Sequence, residues 1–276
     1  MTRLADSHLS FERSGESTVV SRALAIAPLR LLTPRNHGAG AWAYTTTLGG
    51  GLLGGDEIRL RVSAGRDARA LLSSQGATRV YRSAHASTVS LEIVLEEGAL
   101  LAVLPDPTAC FAGSRVEQRT SVRMAAGSSL ALAECVTAGR GARDGRWALS
   151  RYRSALRVED GRAPRVEGAD AAVIDEALLL DALHGPLAER LGRFDCFATV
   201  ILRGPLLEAS AAAALSRIGA APVARDAAIV EAASPIAGGA VVRIAAVSVE
   251  AATARVREIL SALPALFGDD PFVRRG

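Results

Sequence analysis

Gly49-Gly50-Gly51-Leu52-Leu53-Gly54-Gly55-Asp56 runs directly into Glu57-Ile58-Arg59-Leu60-Arg61-Val62-Ser63, and the residues after the glycines decide how the chain is read. Gly49, Gly51 and Gly54 satisfy the G-x-G-x-x-G spacing of a dinucleotide-binding loop. That fingerprint requires a helix straight after the loop, so that the amides of its first turn meet a pyrophosphate. Here Ile58, Leu60 and Val62 alternate with Arg59, Arg61 and Ser63, the period-two signature of a half-buried strand. A P-loop is excluded as well, because no Gly-Lys-Ser/Thr comes after the glycines and the chain contains no lysine. The glycines therefore supply permissive backbone rather than a phosphate cradle, and Asp56 is placed to accept hydrogen bonds from the loop's own amides.

The same alternation spreads outward. A turn at Gly65 to Asp67 leads into a strand over Ala68 to Ser74; further strands are expected at Thr88 to Leu95, Ala99 to Leu104, Val116 to Met124, Ser129 to Val136 and Trp147 to Val158. The last third changes character. Glu208 to Ile218 is alanine-rich and followed by Gly219, and Val249 to Leu263 carries Val249, Val256, Ile259, Leu260 and Leu263 at helical spacing, with Pro264 disturbing its end. Asp195 to Arg203, Ala221 to Glu231 and Ala240 to Val247 read as further strands. The expected fold is mainly β, with stacked antiparallel or β-helix-like sheets and about two α-helices toward the C-terminus. No composition break divides residues 1–276, so one domain is expected, with Asp160 to Asp170 as its most exposed loop.

Composition excludes several function classes. All 32 basic residues are arginine, and against 29 acidic residues they leave a net charge of only +3, scattered without the basic blocks that grip a phosphate backbone; nucleic acid is not expected as a partner. Met1 to Phe11 carries Arg3, Asp6 and His8 and no apolar core, so no secretory signal is expected and the protein is assigned to the cytoplasm. Asn36 to Gly55 lacks charge until Asp56, yet its seven glycines and four Asn/Thr residues make it too polar for a membrane span. Cys110, Cys135 and Cys196 are odd in number and widely spaced, which fits reduced, partly buried thiols.

Catalytic and metal motifs are absent from the linear sequence. His8, His37, His85 and His184 share no HxxxH or HExxH spacing, and no G-x-S-x-G elbow surrounds a serine; Ser73 and Ser74 fall in an expected strand. Glu134, Asp144, Asp175 and Glu176 are carboxylates whose convergence only a fold can decide; exposed acids are the ordinary case, and a buried one points to function.

Several spaced segments together resemble the UreD (UreH) family of urease accessory proteins. Pro28-Leu29-Arg30-Leu31-Leu32-Thr33-Pro34 resembles the family's opening strand, Leu48 to Asp56 its GGLVGGD-like loop, and Ser73 to Ser83, which contains Gln75, Tyr81 and Arg82, its TQAATKVYRS-like segment. Leu104-Pro105-Asp106-Pro107 with Cys110-Phe111 resembles its LPDP…PF stretch, and Glu134 to Arg140 its E-x-x-x-x-GR element. The similarity is good over residues 25–160 and fades afterward. Gly145-Arg146 stands where the family usually has Gly-Glu, a charge inversion, and Ser74 stands for a threonine.

The resemblance implies a non-enzymatic scaffold that binds UreF, and through it the GTPase UreG, and that engages apo-urease to support nickel delivery. No cofactor is held tightly; nickel is in transit, over oxygen or nitrogen ligands loose enough to release it. Asp56 and Glu134, each an acid inside a matching segment, are the candidate transit contacts. Gly50, Gly51, Gly54, Gly55, Gln75, Tyr81, Arg82, Gly139 and Arg140 are assigned to structure or partner contact, through buried hydrogen bonds and paired charge where side chains allow. Two rival readings stand beside this one: a small-molecule hydrolase using the Gly-rich loop and carboxylates, and a β-rich assembly module unrelated to nickel.

Overall fold

The computed structural model describes residues 6–35, 38–140, 143, 145–161, 172–220 and 222–273. Two sheets face each other. One has the strand order β14-β13-β11-β8-β5-β1-β2, and the other runs β16-β17-β15-β12-β9-β6-β4-β3, with the short β7 and β10 attached to its side. In chain order these are β1 (Ser7–Ser14), β2 (Ser17–Leu24), β3 (Leu29–Leu32), β4 (Ala41–Thr47), β5 (Glu57–Ala64), β6 (Arg69–Ser74), β7 (Thr78–Val80), β8 (Ser87–Leu95) and β9 (Leu100–Leu104). They continue with β10 (Thr108–Cys110), β11 (Arg115–Met124), β12 (Ser129–Thr137), β13 (Arg151–Asp160), β14 (Ala172–Asp181), β15 (Cys196–Arg203), β16 (Ile229–Ile236) and β17 (Gly239–Ala246). Among the described residues, the helices α1 (Leu187–Leu191), α2 (Glu208–Ala220), α3 (Val249–Ile259) and α4 (Leu263–Phe267) lie in the last third.

The mainly β character matches the expectation, and of the antiparallel and β-helix-like arrangements expected, the coil-like one prevails in the middle of the stack. In the middle of the stack β5, β8, β11 and β13 pair in parallel, as do β4, β6, β9 and β12. Antiparallel pairs are confined to the margins, at β1·β2, β13·β14, β3·β4 and the run β12·β15·β17·β16. The cause is where the turns lead. Gly65 to Asp67 and Glu96 to Gly98 look like hairpin turns in sequence, but each carries the chain across to the opposite sheet. Successive strands within one sheet therefore run the same way. The corners stack by backbone hydrogen bonds, Glu96 N–H to Ala64 C=O at 2.9 Å and Ala125 N–H to Leu95 C=O at 2.8 Å.

Register aligns side chains into columns. Leu9, Val62, Ile93, Val122, Val158 and Ile174 form one across the first sheet. Ala43, Leu72, Val103, Leu132, Ile201 and Val241 form another across the second. All are buried between the sheets. The first sheet has water on its far side and so keeps strict alternation, as β5 and β13 do. The second is covered on its far side by the helices: Leu71, Ala102, Ala131, Val200 and Val242 pack with Ala211, Ala214 and Ile218 of α2 and Ala252 and Ile259 of α3. Its central strands are consequently apolar on both faces.

Boundaries differ in several places, and the strand expected from Trp147 begins at Arg151. The strand expected over Ala221 to Glu231 begins only at Ile229. The helix expected over Val249 to Leu263 stops at Ile259, and Pro264 sits in the first turn of α4, where its missing N–H is harmless. The β1–β2 hairpin and β14 are additions to the strands expected from sequence; of the expected loop at Asp160 to Asp170, residues 162–170 lie outside the described residues. No helix among the described residues is long and apolar enough to cross a membrane.

Leu132 has no solvent exposure in the middle of its column. Leu132→Ala should lower the unfolding free energy by about 2–5 kcal/mol in denaturant titration; a change near zero would mean that the column is not packed as described.

Candidate functional site

On β12 the inward positions Leu130 and Leu132 are followed, two residues on, by Glu134, which the strand period turns toward the same interior. The facing sheet is polar at this height. Glu134 Oε1 accepts the Thr120 hydroxyl of β11 at 3.0 Å, and Oε2 accepts the Ser154 hydroxyl of β13 at 2.7 Å. Gln118, in register with Ser154, presents a buried Oε1 with no hydrogen-bond partner among the described residues. Glu134 keeps some accessible surface because it lines three internal cavities, of about 420, 90 and 40 Å³.

The largest cavity reaches from exposed Gly50, Gln75 and Arg79 inward to Gln118, Thr120 and Glu134. Partway along it, the Ser74 hydroxyl accepts the Asp106 N–H at 2.8 Å and lies 3.2 Å from the Asp106 carboxylate. Oxygen-bearing side chains such as Ser74, Asp106, Thr120 and Glu134 thus interrupt a lining that is mostly apolar, with Leu52, Leu60, Leu72 and Val103 among its walls. Burial pushes the Glu134 carboxyl above its ordinary pKa of 4.5; the Ser154 and Thr120 hydroxyls oppose this, and the neighbouring charge of Glu176 adds to it.

The sequence-nominated residues fall into two groups. Glu134 and Gln75 line the cavity, joined at its mouth by Gly50. The others build the wall beside it. Asp56 is half-buried and does not line the cavity; its Oδ2 accepts the Leu53 N–H at 2.8 Å and so closes the glycine loop on itself. Gly51 and Gly54 are close approaches: a Cβ at Gly51 would sit 2.5 Å from the Tyr81 ring and 2.6 Å from the Arg79 carbonyl, and one at Gly54 would overlap Ser83. Gly50 and Gly55 take positive φ in open space. Tyr81 meets Phe111 edge-on at 5.4 Å, the Arg140 guanidinium lies 3.9 Å over the same ring, and Gly139 packs against the Cys110 carbonyl. Arg82 donates to the Ala112 carbonyl at 3.4 Å. Gln75, Arg82 and Arg140 are exposed, and aromatic and cation–π contacts contribute to this part of the wall.

Of the four carboxylates considered together, Glu134 and Glu176 share the smallest cavity, Glu176 also pairing with Arg243. Asp175 pairs with Arg157 at the surface, and Asp144 lies outside the described residues. Arg146, at the charge inversion noted in the sequence, pairs with Asp195 and donates to the Gly192 and Phe194 carbonyls at 2.9 and 3.1 Å. His8, His85 and His184 stay apart, His37 is not among the described residues, and no three His, Cys, Asp or Glu side chains among those described gather as a metal cluster. Gln118, Thr120 and Ser154 are site residues that the sequence reading does not nominate. Their signal is present in it, as polar residues at inward positions of alternating strands.

A model of the UreD urease accessory protein family matches residues 4–275. The chain belongs to the UreD family. It is 46% identical over 268 residues to the urease accessory protein UreD of Sorangium cellulosum, covering 97% of this chain and 83% of that one. It is 41% identical over 263 residues to that of an Anaeromyxobacter species, covering 94% and 85%. Urease accessory protein D of Oryza sativa subsp. indica is 32% identical over 199 residues, covering 69% and 62%. Family membership makes this a urease accessory protein, and the UreD-like glycine loop, YRS segment, Cys-Phe pair and GR element are the parts that meet around Tyr81 and Phe111.

Two outcomes are expected for this UreD chain. A carboxyl with a raised folded pKa contributes its stability fully below the ordinary value and loses it as pH rises through the raised one. The native chain should therefore lose unfolding free energy relative to Glu134→Gln as pH climbs from 4.5 in a denaturant series; parallel pH curves would show an unperturbed carboxyl. Gly51→Ala should cost about 1–3 kcal/mol in the same assay, through the forced shift of Tyr81.

Proposed function

We propose that this protein supports nickel delivery to apo-urease as a non-enzymatic cytoplasmic scaffold, bound to UreF and through it to the GTPase UreG, with the ion travelling through the inter-sheet cavity that Glu134 lines. The observation that carries the reading is Glu134, a buried carboxylate held by two hydroxyls where three cavities meet. Burying a carboxyl is unfavourable, and an apolar residue at this height would extend the column below it. Retaining the acid makes sense if a cation visits.

The chemistry suits transit rather than storage. Hydroxyl, amide and carboxylate oxygens are hard donors that bind nickel less firmly than thiolates or imidazoles. The raised pKa of Glu134 makes protons compete for it more strongly than for an exposed carboxylate, which weakens its hold on a divalent ion. Asp56, committed to the Leu53 amide, serves the loop at the mouth. Transit contact is therefore assigned to Glu134.

Cells carrying the cognate urease subunits and the remaining accessory proteins should be compared with native chain, Glu134→Gln and Asp56→Asn. Glu134→Gln should reduce urease activity and bound nickel on the order of tenfold while still co-purifying with UreF. Full nickel loading with Glu134→Gln would overturn the proposed path.

A further inference from the structure

The outer face of the second sheet, opposite the side that carries Glu134, holds two cysteines that the proposed path does not use. Cys135 on β12 is opposite Ala198, and Cys196 on β15 is opposite Thr137, so the two lie on a cross-strand diagonal. Their sulfur atoms are 2.8 Å apart, and both thiols are free. Bonding distance in a disulfide is about 2.05 Å, so a shift of under about 1 Å joins them. Cys110 is also buried, in the other core cluster, without a second cysteine nearby.

Access to the two sulfurs is unequal. Cys196 has no solvent exposure. Cys135 lines the cavity of about 90 Å³ beneath α3, together with Ala252 and Val256, and also the larger inter-sheet cavity. A molecule the size of hydrogen peroxide fits there; a glutathione-sized disulfide does not.

We propose that Cys135 and Cys196 form a redox modification site at which a small hydroperoxide converts the dithiol to a disulfide tying β12 to β15. The Cys135 thiol ionises and its sulfur attacks one peroxide oxygen; an S–O bond forms, the O–O bond breaks, and the departing hydroxide takes up the Cys135 proton and leaves as water, giving a sulfenic acid. The Cys196 sulfur then attacks the Cys135 sulfur; the S–S bond forms, the S–O bond breaks, and a second water leaves with the Cys196 proton. Two thiols lose two electrons in all, and one peroxide becomes two waters. The hydrogen bond with Cys196 and burial both hold Cys135 protonated, so the first step is slow and responds to sustained exposure.

Cys135 directly follows Glu134, and Thr199 lies opposite Glu134 on β15. The covalent tie therefore fixes the backbone from which the carboxylate projects and should restrict ion passage. This consequence rests on the path proposed above; the modification does not.

The purified full-length chain should be treated with hydrogen peroxide, denatured, alkylated and peptide-mapped by mass spectrometry. A linked Cys135–Cys196 peptide pair, lost on dithiothreitol treatment, with Cys110 still alkylated, is the expected result. Cys196→Ala should abolish the link and leave Cys135 trapped by dimedone as a sulfenic acid, and Cys135→Ala should leave Cys196 reduced. Both cysteines remaining alkylatable after prolonged peroxide, or linkage only between separate chains, would overturn the site. Oxidised chain should then activate urease less than reduced chain, and the difference should vanish in Cys196→Ala. Equal activation with the link fully formed would overturn the effect on passage.

Discussion

Two sheets share one interior, and each strand must deliver its inward side chains at the heights its neighbours set. In a parallel stack that requirement repeats coil after coil, so Val62, Ile93, Val122 and Val158 stand in one row and Leu72, Val103 and Leu132 face the same space from the other sheet. Each large apolar side chain buried this way stabilises the fold by about 1.5–3 kcal/mol before entropy is counted. A polar residue in such a row must find partners inside it. Thr120 and Ser154 find Glu134, and the three together place a polar group in an otherwise apolar interior, beside the inter-sheet cavity.

The glycine loop depends on the same stack from outside. Gly51 and Gly54 allow the loop to lie flat on the Arg79–Ser83 segment, and that segment in turn seats Tyr81 against Phe111. Arg140 closes the group from the far end of the Glu134 strand. The segments that carry the family resemblance are thus dispersed in sequence and contiguous in space. Their shared contribution is steric: they pack into the wall beside the cavity that Gly50, Gln75 and Arg79 border.

What could be read from the sequence depends on what each side chain meets. Ile58, Leu60 and Val62 declare a strand because one of its faces meets water, and Val249 to Ile259 reads as a helix because its apolar stripe is a local signal. The sense of the strands is not legible: Gly65 to Asp67 would look the same in a hairpin as in an arch between sheets. Apolar composition alone misleads at residues 222–228, which carry no ladder partner. In the site, Asp56 is readable because its partner is three residues away, whereas the Glu134 partners are 14 and 20 residues away on the facing sheet and emerge only from the fold.

Both sheets end in strands that run against their neighbours: β2 and β14 on one, β3 and β16 on the other. Antiparallel and parallel ladders space their hydrogen bonds differently, so a further parallel coil offered at either end meets an edge unlike those between the parallel coils. An open stack of parallel coils invites copies to add end to end, as exposed sheet edges do generally. Here the stack carries its own length stop. Any lengthening over evolutionary time must enter between existing coils, in the middle of the molecule, where it would displace the passage itself.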